Sequence, residues 1–163
     1  MSNELSADLL HELFEYVDGT LVRKVTVGPR GKAGMTVGGS NGNGYMKVQI
    51  NGKFYQNHRL IFLMHHGYLP KQVDHIDNDP LNNRIENLRE ASRAENSWNA
   101  GVSSTNTSGY KGVGFFKQTG RWRVRVKQHG KTHHGGLYDT AEEANEVAMA
   151  LREELHGEFV RHE

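Results

Sequence analysis

The fold is decided by the stretch Val73-Asp74-His75-Ile76-Asp77, which continues through Asn82-Asn83-Arg84-Ile85-Glu86-Asn87-Leu88-Arg89 to Glu95-Asn96. The segment 73–76 is typical of a short strand, and the Asp, Asn and Pro residues of 77–80 are typical of a turn. The segment 88–91 predicts the returning strand. Ser92 and Glu95 have the spacing of a capping box, so a helix is expected to begin near residue 93. The pattern predicts a hairpin followed by a helix.

Two oxygen-bearing side chains belong to this predicted hairpin and helix. Asp74 lies on the first strand, and Asn96 lies in the first turns of the helix, where it can face back onto the hairpin. Carboxylate and carboxamide oxygens are ligands for hard divalent cations, so the two side chains are able to share one. His75 points in a different direction from Asp74, because side chains alternate along a strand. The alternative is a solvated turn over 77–79 beside an ordinary half-buried histidine.

The segment 58–99 resembles the HNH endonuclease family in its ββα-metal form, through the patterns Asp-His-x-Asp, Asn-Asn-Arg-x-x-Asn-Leu-Arg and Glu-Asn. It is most similar to the phage-type homing and nicking members, which end the motif in Asn. The resemblance implies Asp74 and Asn96 as metal ligands and His75 as the base that activates water. It implies Asn87 as the central Asn, which steadies the loop and orients His75. The implied cofactor is Mg²⁺ or Mn²⁺, and no zinc is expected, because Asn96 replaces a third His.

Length and composition set wider limits. The 163 residues suffice for one medium domain or two small ones, and a hydrophobic content of 36% is low for one large core. The absence of cysteine excludes disulfides and thiolate zinc sites. No apolar run has the length of a membrane span, and the N-terminus lacks a signal pattern. A protein of the cytoplasm, in a bacterium or a phage-infected cell, is expected, with no membrane partner.

The N-terminal segments carry several local signals. The apolar spacing of 5–16 predicts a helix with Ser6 as its N-cap. Asp18 and Gly19 predict a turn before a β-rich run over 20–27. The glycine-rich segment 28–44 is expected to be a flexible loop that approaches a DNA backbone or tucks under the next hairpin. The alternative is a plain surface loop.

The next segment leads into the motif. Residues 45–55 alternate around Asn51-Gly52, which predicts a hairpin. Asn57 is expected to be the N-cap of a helix over 58–66 that stops at Gly67. These elements complete a predicted nuclease domain over 1–99, with its motif core at 58–99, a linker over 100–108, and a second domain over 109–163.

Three strands are expected in the second domain, over 110–116, 121–128 and 131–138. The middle strand alternates, with Arg121, Arg123, Arg125 and Lys127 on one face and Trp122, Val124 and Val126 on the other. Seven basic residues and no acidic residue lie between Trp98 and Tyr138. Like charges at alternate positions repel, so a polyanionic partner is expected, and the alternative is a solvated sheet edge.

The residues after the third strand predict a helix. Asp139 and Glu142 have capping-box spacing, and apolar residues share one face as far as about His156, so this face is expected to cover the Trp122, Val124 and Val126 side of the sheet.

The segment 108–158 resembles the AP2 DNA-binding domain. The resemblance is carried by Ser108-Gly109-Tyr110-Lys111-Gly112-Val113, Gly120-Arg121-Trp122-Arg123-Val124, Asp139-Thr140-Ala141-Glu142-Glu143-Ala144 and Leu155-His156-Gly157-Glu158. It implies a three-stranded antiparallel sheet packed on one helix, with the sheet in the major groove of DNA. The candidate DNA-binding residues are Lys111, Arg121, Arg123, Arg125, Lys127 and Lys131.

The two resemblances together predict an α+β protein, in which a ββα-metal nuclease module precedes an AP2-like sheet and helix. The expected function is a site-directed DNA endonuclease of homing or nicking type that acts on double-stranded DNA with one divalent metal. One alternative is a DNA-binding regulator without catalysis, but DNA binding alone does not require Asp74, His75, Asn87 and Asn96 together. Another is an RNA nuclease, but arginines without stacked exposed aromatics favour a duplex major groove.

Overall fold

The computed structural model describes residues 5–40, 42 and 44–160, and it divides into two compact units, of which the first ends at Ala91 and the second begins at Ser92. Helices and small antiparallel sheets occur in both units, as the α+β prediction requires. The predicted nuclease domain ends later, at Asn99, and the structure groups the helix over 93–99 with the second unit. Within the described residues, no helix is long and apolar enough to cross a membrane.

The first unit is built from short elements. In chain order they are α1 (Ala7–Leu13), β1 (Phe14–Val17), β2 (Thr20–Arg23), β3 (Thr36–Val37), β4 (Gly39–Ser40), β5 (Met46–Ile50), β6 (Lys53–Gln56), α2 (Asn57–His66), β7 (Val73–His75) and β8 (Leu88–Glu90). The strands form a β1-β2-β3 sheet, a β4-β5-β6 sheet and a β7-β8 hairpin, and every pair is antiparallel. A 3₁₀ turn over Ile85–Asn87 precedes β8.

Helix α1 is shorter than the predicted helix over 5–16. Its N-cap is Ser6 as predicted, because the Ser6 Oγ accepts a hydrogen bond from the Leu9 N–H at 3.2 Å. The helix ends at Leu13, because Phe14 begins β1 and pairs with Arg23 of β2. The predicted turn at Asp18 and Gly19 joins these two strands, with φ of 46° and 83°. Strand pairing thus overrides the helical spacing of the apolar residues after Leu13.

The glycine-rich segment is not a plain loop, because it contains β3 and β4. The Asn57 Nδ2 donates a hydrogen bond of 2.8 Å to the Val37 carbonyl. A side chain at Gly38 would meet that Asn57 Nδ2 at 2.5 Å, and Gly38 has φ of 121°, so glycine is required there. The predicted N-cap role of Asn57 is wrong: Asn57 is the first residue of α2, and Gln56 stands at the cap position.

Helix α2 is the centre of the first unit. Its stop at Gly67 is confirmed, since Gly67 has φ of 76° and its N–H donates to the Leu63 carbonyl. The hairpin turn at Asn51 and Gly52 is also confirmed, with φ of 49° and 82°. The core around α2 consists of Leu10, Phe14, Leu21, Val37, Val48, Ile50, Leu60, Ile61, Phe62, Leu63, Met64, Val73 and Leu88. Because Val73 and Leu88 belong to this core, the β7-β8 hairpin is fixed against the helix.

The second unit contains α3 (Arg93–Asn99), β9 (Val113–Phe116), β10 (Arg121–Gln128), β11 (Lys131–Tyr138) and α4 (Ala141–His156), followed by a 3₁₀ turn over Gly157–Phe159. Its antiparallel sheet has the order β11-β10-β9. Helix α4 packs on one face of this sheet, and the core between them contains Val113, Val124, Ala144 and Ala148. The predicted arrangement of three strands and one covering helix is therefore present.

Two details of α4 differ from the prediction. The cap is Thr140 and not Asp139: the Thr140 Oγ1 accepts a hydrogen bond from the Glu143 N–H at 3.2 Å. Two polar side chains, Arg152 and His156, are also buried on the helix face that was expected to be apolar. The Arg152 guanidinium donates to the Lys111 carbonyl, and the His156 Nε2 lies 2.9 Å from the Lys127 carbonyl.

The capping box of α3 is confirmed. The Ser92 Oγ accepts from the Glu95 N–H at 3.2 Å, and the Glu95 Oε2 accepts from the Ser92 N–H at 2.7 Å. Near its other end, the Trp98 ring stacks on the His156 ring with centroids 4.4 Å apart and an interplanar angle of 2°. Helix α3 is therefore anchored to the end of α4 within the second unit.

Candidate active site and nucleic-acid interface

Strand β7 places Asp74 and His75 side by side, and both are buried, with 3% and 5% of their surface exposed. Asp74 is paired across the hairpin with Arg89. The Asp74 Oδ2 accepts hydrogen bonds from the Arg89 Nε at 3.1 Å and from its Nη2 at 3.0 Å. The positive charge of Arg89 thus offsets the cost of burying this carboxylate.

The imidazole of His75 is oriented by a carboxamide. Its Nε2 lies 2.9 Å from the Oδ1 of Asn83, and Asn83 is itself buried, with 4% exposed. With Oδ1 as the acceptor, Nε2 carries the ring proton, and Nδ1 is the nitrogen with a lone pair. Sequence reasoning missed Asn83 as a site residue, although the Asn-Asn-Arg pattern contains it.

Two more rings lie against His75. His58, on α2, is 4% exposed, and its ring centroid is 4.9 Å from that of His75 in an edge-to-face arrangement. The Tyr45 ring lies 5.4 Å from His58 and 6.0 Å from His75. Burial, with a smaller contribution from His75, lowers the pKa of His58 to about 3. His58 is therefore neutral at physiological pH. In the sequence, His58 was singled out only as the first residue of the segment 58–99 that resembles the HNH family.

Asn87 closes the loop between β7 and β8. Its Nδ2 donates to the Asp77 Oδ1 at 2.9 Å and to the Asn82 carbonyl at 2.8 Å, while its Oδ1 accepts from the Asp77 N–H at 3.1 Å. Burial raises the pKa of Asp77, but hydrogen bonds from the Asp79 N–H, Asn82 and Asn87 outweigh it, so the pKa lies below its usual value. The Asn87 side chain thus steadies the loop, and the His75 Nε2 is held by Asn83.

The four predicted catalytic and metal-binding residues are divided between the units. Asp74, His75 and Asn87 lie in the first unit, and Asn96 lies on α3 in the second. Carboxylate and carboxamide oxygens suit Mg²⁺ or Mn²⁺, so the donor types of Asp74 and Asn96 fit such a cation. Among the described residues there is no group of three or more His, Cys, Asp and Glu side chains that could hold a metal ion.

The exposed face of the second unit's sheet carries the predicted row of cations. Arg121, Arg125 and Lys127 are exposed, whereas Val124 and Val126 on the opposite face are 0% and 3% exposed. The alternation predicted for β10 is therefore confirmed. We call Arg121, Arg123, Arg125 and Lys127 the arginine row.

An aromatic ring belongs to the same face. The guanidinium of Arg123 lies 4.5 Å from the centroid of the Phe116 ring. The sequence-based preference for duplex DNA over RNA took the arginines to be without such aromatic neighbours. The cross-strand partner of Arg123 on β9 is Gly114, and no atom lies within 4 Å of where a Gly114 side chain would begin. A groove of about 380 Å³ runs here, lined by Asn106, Gly112, Val113, Gly114, Arg125, Lys127 and Thr132. The groove places two cations beside open backbone.

The arginine row is not free of acidic neighbours. Although no acid lies between Trp98 and Tyr138 in the sequence, the Arg121 Nε donates to the Asp139 Oδ1 at 2.7 Å. This hydrogen bond raises the pKa of Arg121 and lowers the pKa of Asp139. The expectation that no acid neutralises the row is wrong at Arg121, because the end of β11 brings Asp139 beside it.

Two of the six predicted DNA-binding residues, Lys111 and Lys131, lie outside the arginine row. The ammonium group of Lys111 donates to the carbonyls of Trp98 and Ala100, at the end of α3. Lys131 is the cross-strand partner of Gln128, so the two side chains share one face of the sheet. Because side chains alternate along β10, this is the face covered by the helix and not the face of the arginine row. Lys111 thus joins the end of α3 to the turn that precedes β9, and neither residue belongs to the arginine row.

The sequence pattern of the HNH endonuclease family matches residues 55–98. The chain is 39% identical over 114 residues to protein 3.8 of Escherichia phage T7, a match that covers 67% of this chain and 93% of that protein. It is 37% identical over 107 residues to a protein of Acanthamoeba polyphaga mimivirus named as an HNH endonuclease, covering 64% of this chain and 54% of the mimivirus protein. No solved structure matches the chain.

Proposed function

The chain belongs to the HNH endonuclease family, and on this premise we propose that it is a site-directed DNA endonuclease of homing or nicking type. The observation that carries the proposal is the environment of His75. The imidazole is buried beside Asp74, its Nε2 is held by Asn83, and the neutral His58 lies against it. Such an arrangement fixes one ring nitrogen as a base.

His75 is the general base of the proposed reaction. Its Nδ1 takes a proton from a water molecule, and the water oxygen attacks the scissile phosphorus in line with the leaving oxygen. Asn83 keeps the other ring nitrogen protonated. The neutral His58 adds no positive charge that would raise the cost of protonating His75. The family resemblance implies a 5′-phosphate and a 3′-hydroxyl as the product ends.

Asp74 and Asn96 would hold one divalent cation, Mg²⁺ or Mn²⁺. The assignment of Asn96 rests on the sequence pattern, and the assignment of Asp74 also rests on its position next to His75. When bound, the cation stabilises negative charge on the phosphate and on the leaving oxygen. The Arg89 guanidinium forms a salt bridge with Asp74 at 3.0 Å and so holds the carboxylate in position. Asn87 keeps the loop after β7 closed and thereby fixes the end of the strand.

The second unit would direct the nuclease to double-stranded DNA in the manner of an AP2 domain. Arg123, Arg125 and Lys127 occupy alternate positions of one exposed strand face. Their spacing suits contacts to bases and phosphates across a major groove. The groove lined by Gly114 allows a sugar-phosphate chain to approach the sheet closely.

Incubation of supercoiled plasmid DNA with the protein and Mg²⁺ tests this function, with EDTA and the His75→Ala variant as controls. Nicked or linear plasmid is expected only from the unaltered chain with Mg²⁺. Plasmid that is bound but never cut, with Mg²⁺ or with Mn²⁺, would favour a DNA-binding regulator without catalysis. Cleavage of RNA in preference to the plasmid would favour an RNA nuclease.

A further inference from the structure

The first unit has an exposed sheet face of its own. In the β4-β5-β6 sheet, Val48 and Ile50 of β5 turn into the core. The alternate residues lie on the opposite face, which we call the outer face of the first sheet: Gly39, Lys47, Gln49, Phe54 and Gln56. Phe54 is 63% exposed, the largest exposed fraction among the large apolar side chains that the structure describes.

Lys47 carries the one charge among the five residues of this face. The Lys47 Nζ lies 4.8 Å from the centroid of the Phe54 ring. The stretch between Asp18 and Asp74 contains no acidic residue but has eight basic ones, namely Arg23, Lys24, Arg30, Lys32, Lys47, Lys53, Arg59 and Lys71. No residue of this stretch therefore carries a negative charge that would repel a polyanion. The remaining side chains of the face are the carboxamides of Gln49 and Gln56, which both donate and accept hydrogen bonds.

The outer face of the first sheet shares three features with the sheet face of the second unit that carries the arginine row. In each, a cation on the central strand lies over a phenylalanine ring, Lys47 over Phe54 and Arg123 over Phe116. In each, the cross-strand partner of that cation is a glycine, Gly39 or Gly114. No atom lies within 4 Å of where a side chain on either glycine would begin. Both faces therefore leave open backbone beside a cation.

We propose that the outer face of the first sheet is a second binding surface for duplex DNA. Lys47 contacts a backbone phosphate, and Phe54 packs against the sugar and base edges of the adjoining groove. The open backbone at Gly39 allows the DNA chain to approach closely. This inference rests on the proposed nuclease function, and it gives the catalytic unit its own hold on the substrate.

The surface lies close to the candidate base. Tyr45, whose ring is 6.0 Å from that of His75, precedes β5. Lys47 is two residues further along, a distance of about 7 Å at the rise of an extended chain. DNA held at Lys47 is therefore near the imidazole that would activate water. A duplex held only by the second unit would lack this local constraint.

The experiment compares two lysines of one hairpin in the full chain. Lys47→Gln and Lys53→Gln remove the same charge, but Lys53 pairs with Ile50 and so emerges from the opposite face. Binding of a mixed-sequence linear duplex is measured by fluorescence anisotropy in EDTA over a range of salt concentrations. Lys47→Gln is expected to reduce the slope of log affinity against log salt by about 0.9, the value for one phosphate contact. Lys53→Gln is expected to leave the slope unchanged.

Phe54→Ala is expected to weaken binding several-fold at every salt concentration without changing the slope, because it removes an apolar contact. Equal slopes for Lys47→Gln and Lys53→Gln, or unaltered binding by Phe54→Ala, would overturn the proposal. Equal loss of binding to a single-stranded oligonucleotide would overturn the assignment to a duplex. Because binding is measured without cleavage, an inactive but DNA-binding protein would refute the nuclease function and leave this surface supported. Thermal melting of each variant shows whether it is folded.

Discussion

Polar side chains are arranged differently in the two units. In the first unit, His58, Asp74, His75 and Asn83 are at most 5% exposed and lie against one another or against paired groups. In the second unit, the cations of the arginine row lie at alternate positions on the exposed face of β10. Buried polar groups are costly unless each is satisfied, so their geometry is fixed, whereas exposed cations adapt to a partner. From this difference we expect the first unit to carry the proposed chemistry and the arginine row to contribute mainly to affinity.

The largest expected effect is at His75. His75→Ala should reduce the rate of plasmid cleavage about 10²–10⁴-fold, the usual cost of losing a general base. The affinity for DNA should be nearly unchanged, because the ring is buried. Cleavage and binding are measured in parallel, with the exposed His66→Ala as the matched control. Near-normal turnover by His75→Ala would remove His75 from the mechanism and break the division between the units.

The predicted ligands supply the next effect. Asp74→Asn should strongly reduce metal-dependent cleavage, because it removes the charge of the only carboxylate assigned to the cation. Asn96→Ala should weaken cleavage and raise the Mg²⁺ concentration required. Calorimetric titration with Mn²⁺ checks both variants. Unchanged Mn²⁺ binding in both would show that the metal is held elsewhere.

Acidification should destabilise the first unit through His58. The pKa of His58 is about 3 in the folded chain and about 6.5 when unfolded, so the unfolded state binds the additional proton between these values. Its contribution to stability is complete above pH 6.5 and is lost as the pH falls toward 3, by at most about 1.4 kcal/mol per pH unit.

Chemical denaturation at several pH values measures this loss, and His58→Phe should show a flatter profile than the unaltered chain. In the second unit, burial also lowers the pKa of His156, in spite of a hydrogen bond to the Lys127 carbonyl. The same pH dependence in His58→Phe and in the unaltered chain would contradict the assignment to His58.

The arginine row should govern affinity and not turnover. Arg123→Ala or Arg125→Ala should cost about 1–3 kcal/mol and relax specificity at one position if the side chain contacts a base. If it contacts a phosphate, all sequences should weaken alike, and the salt dependence should flatten. Cleavage-site sequencing and salt titration separate the two cases. If either variant instead cleaved more slowly at saturating DNA while its affinity was unchanged, the arginine row would act in turnover and not in binding.

The smallest expected effect concerns Asp139. Asp139→Asn should release Arg121 from its ion pair and so strengthen DNA binding at low salt, with a gain that disappears at high salt because the pair is exposed. Lys127→Gln is the opposite control, since it removes a cation from the row. Identical affinities at low salt for Asp139→Asn and the unaltered chain would show that Arg121 takes no part in binding.

The sequence by itself determined the features that depend on neighbours along the chain. The capping box at Ser92 and Glu95, the turn at Asn51 and Gly52, and the alternation of β10 all follow from short-range spacing. The motif around His75 was equally readable, because its strands, loop and helix start lie within one continuous segment. Such patterns are set by backbone dihedrals and side-chain periodicity, which a local stretch specifies by itself.

Only the tertiary structure decided what depends on distant partners. Phe14 joins a strand because Arg23 pairs with it, and Asp139 leaves its predicted cap to bond Arg121. His58 stands beside His75, although 16 residues separate them in the sequence. These outcomes result from competition between a local preference and a contact that forms only when the chain has folded. Burial and charge at each site, and therefore its pKa and its chemistry, follow from those contacts.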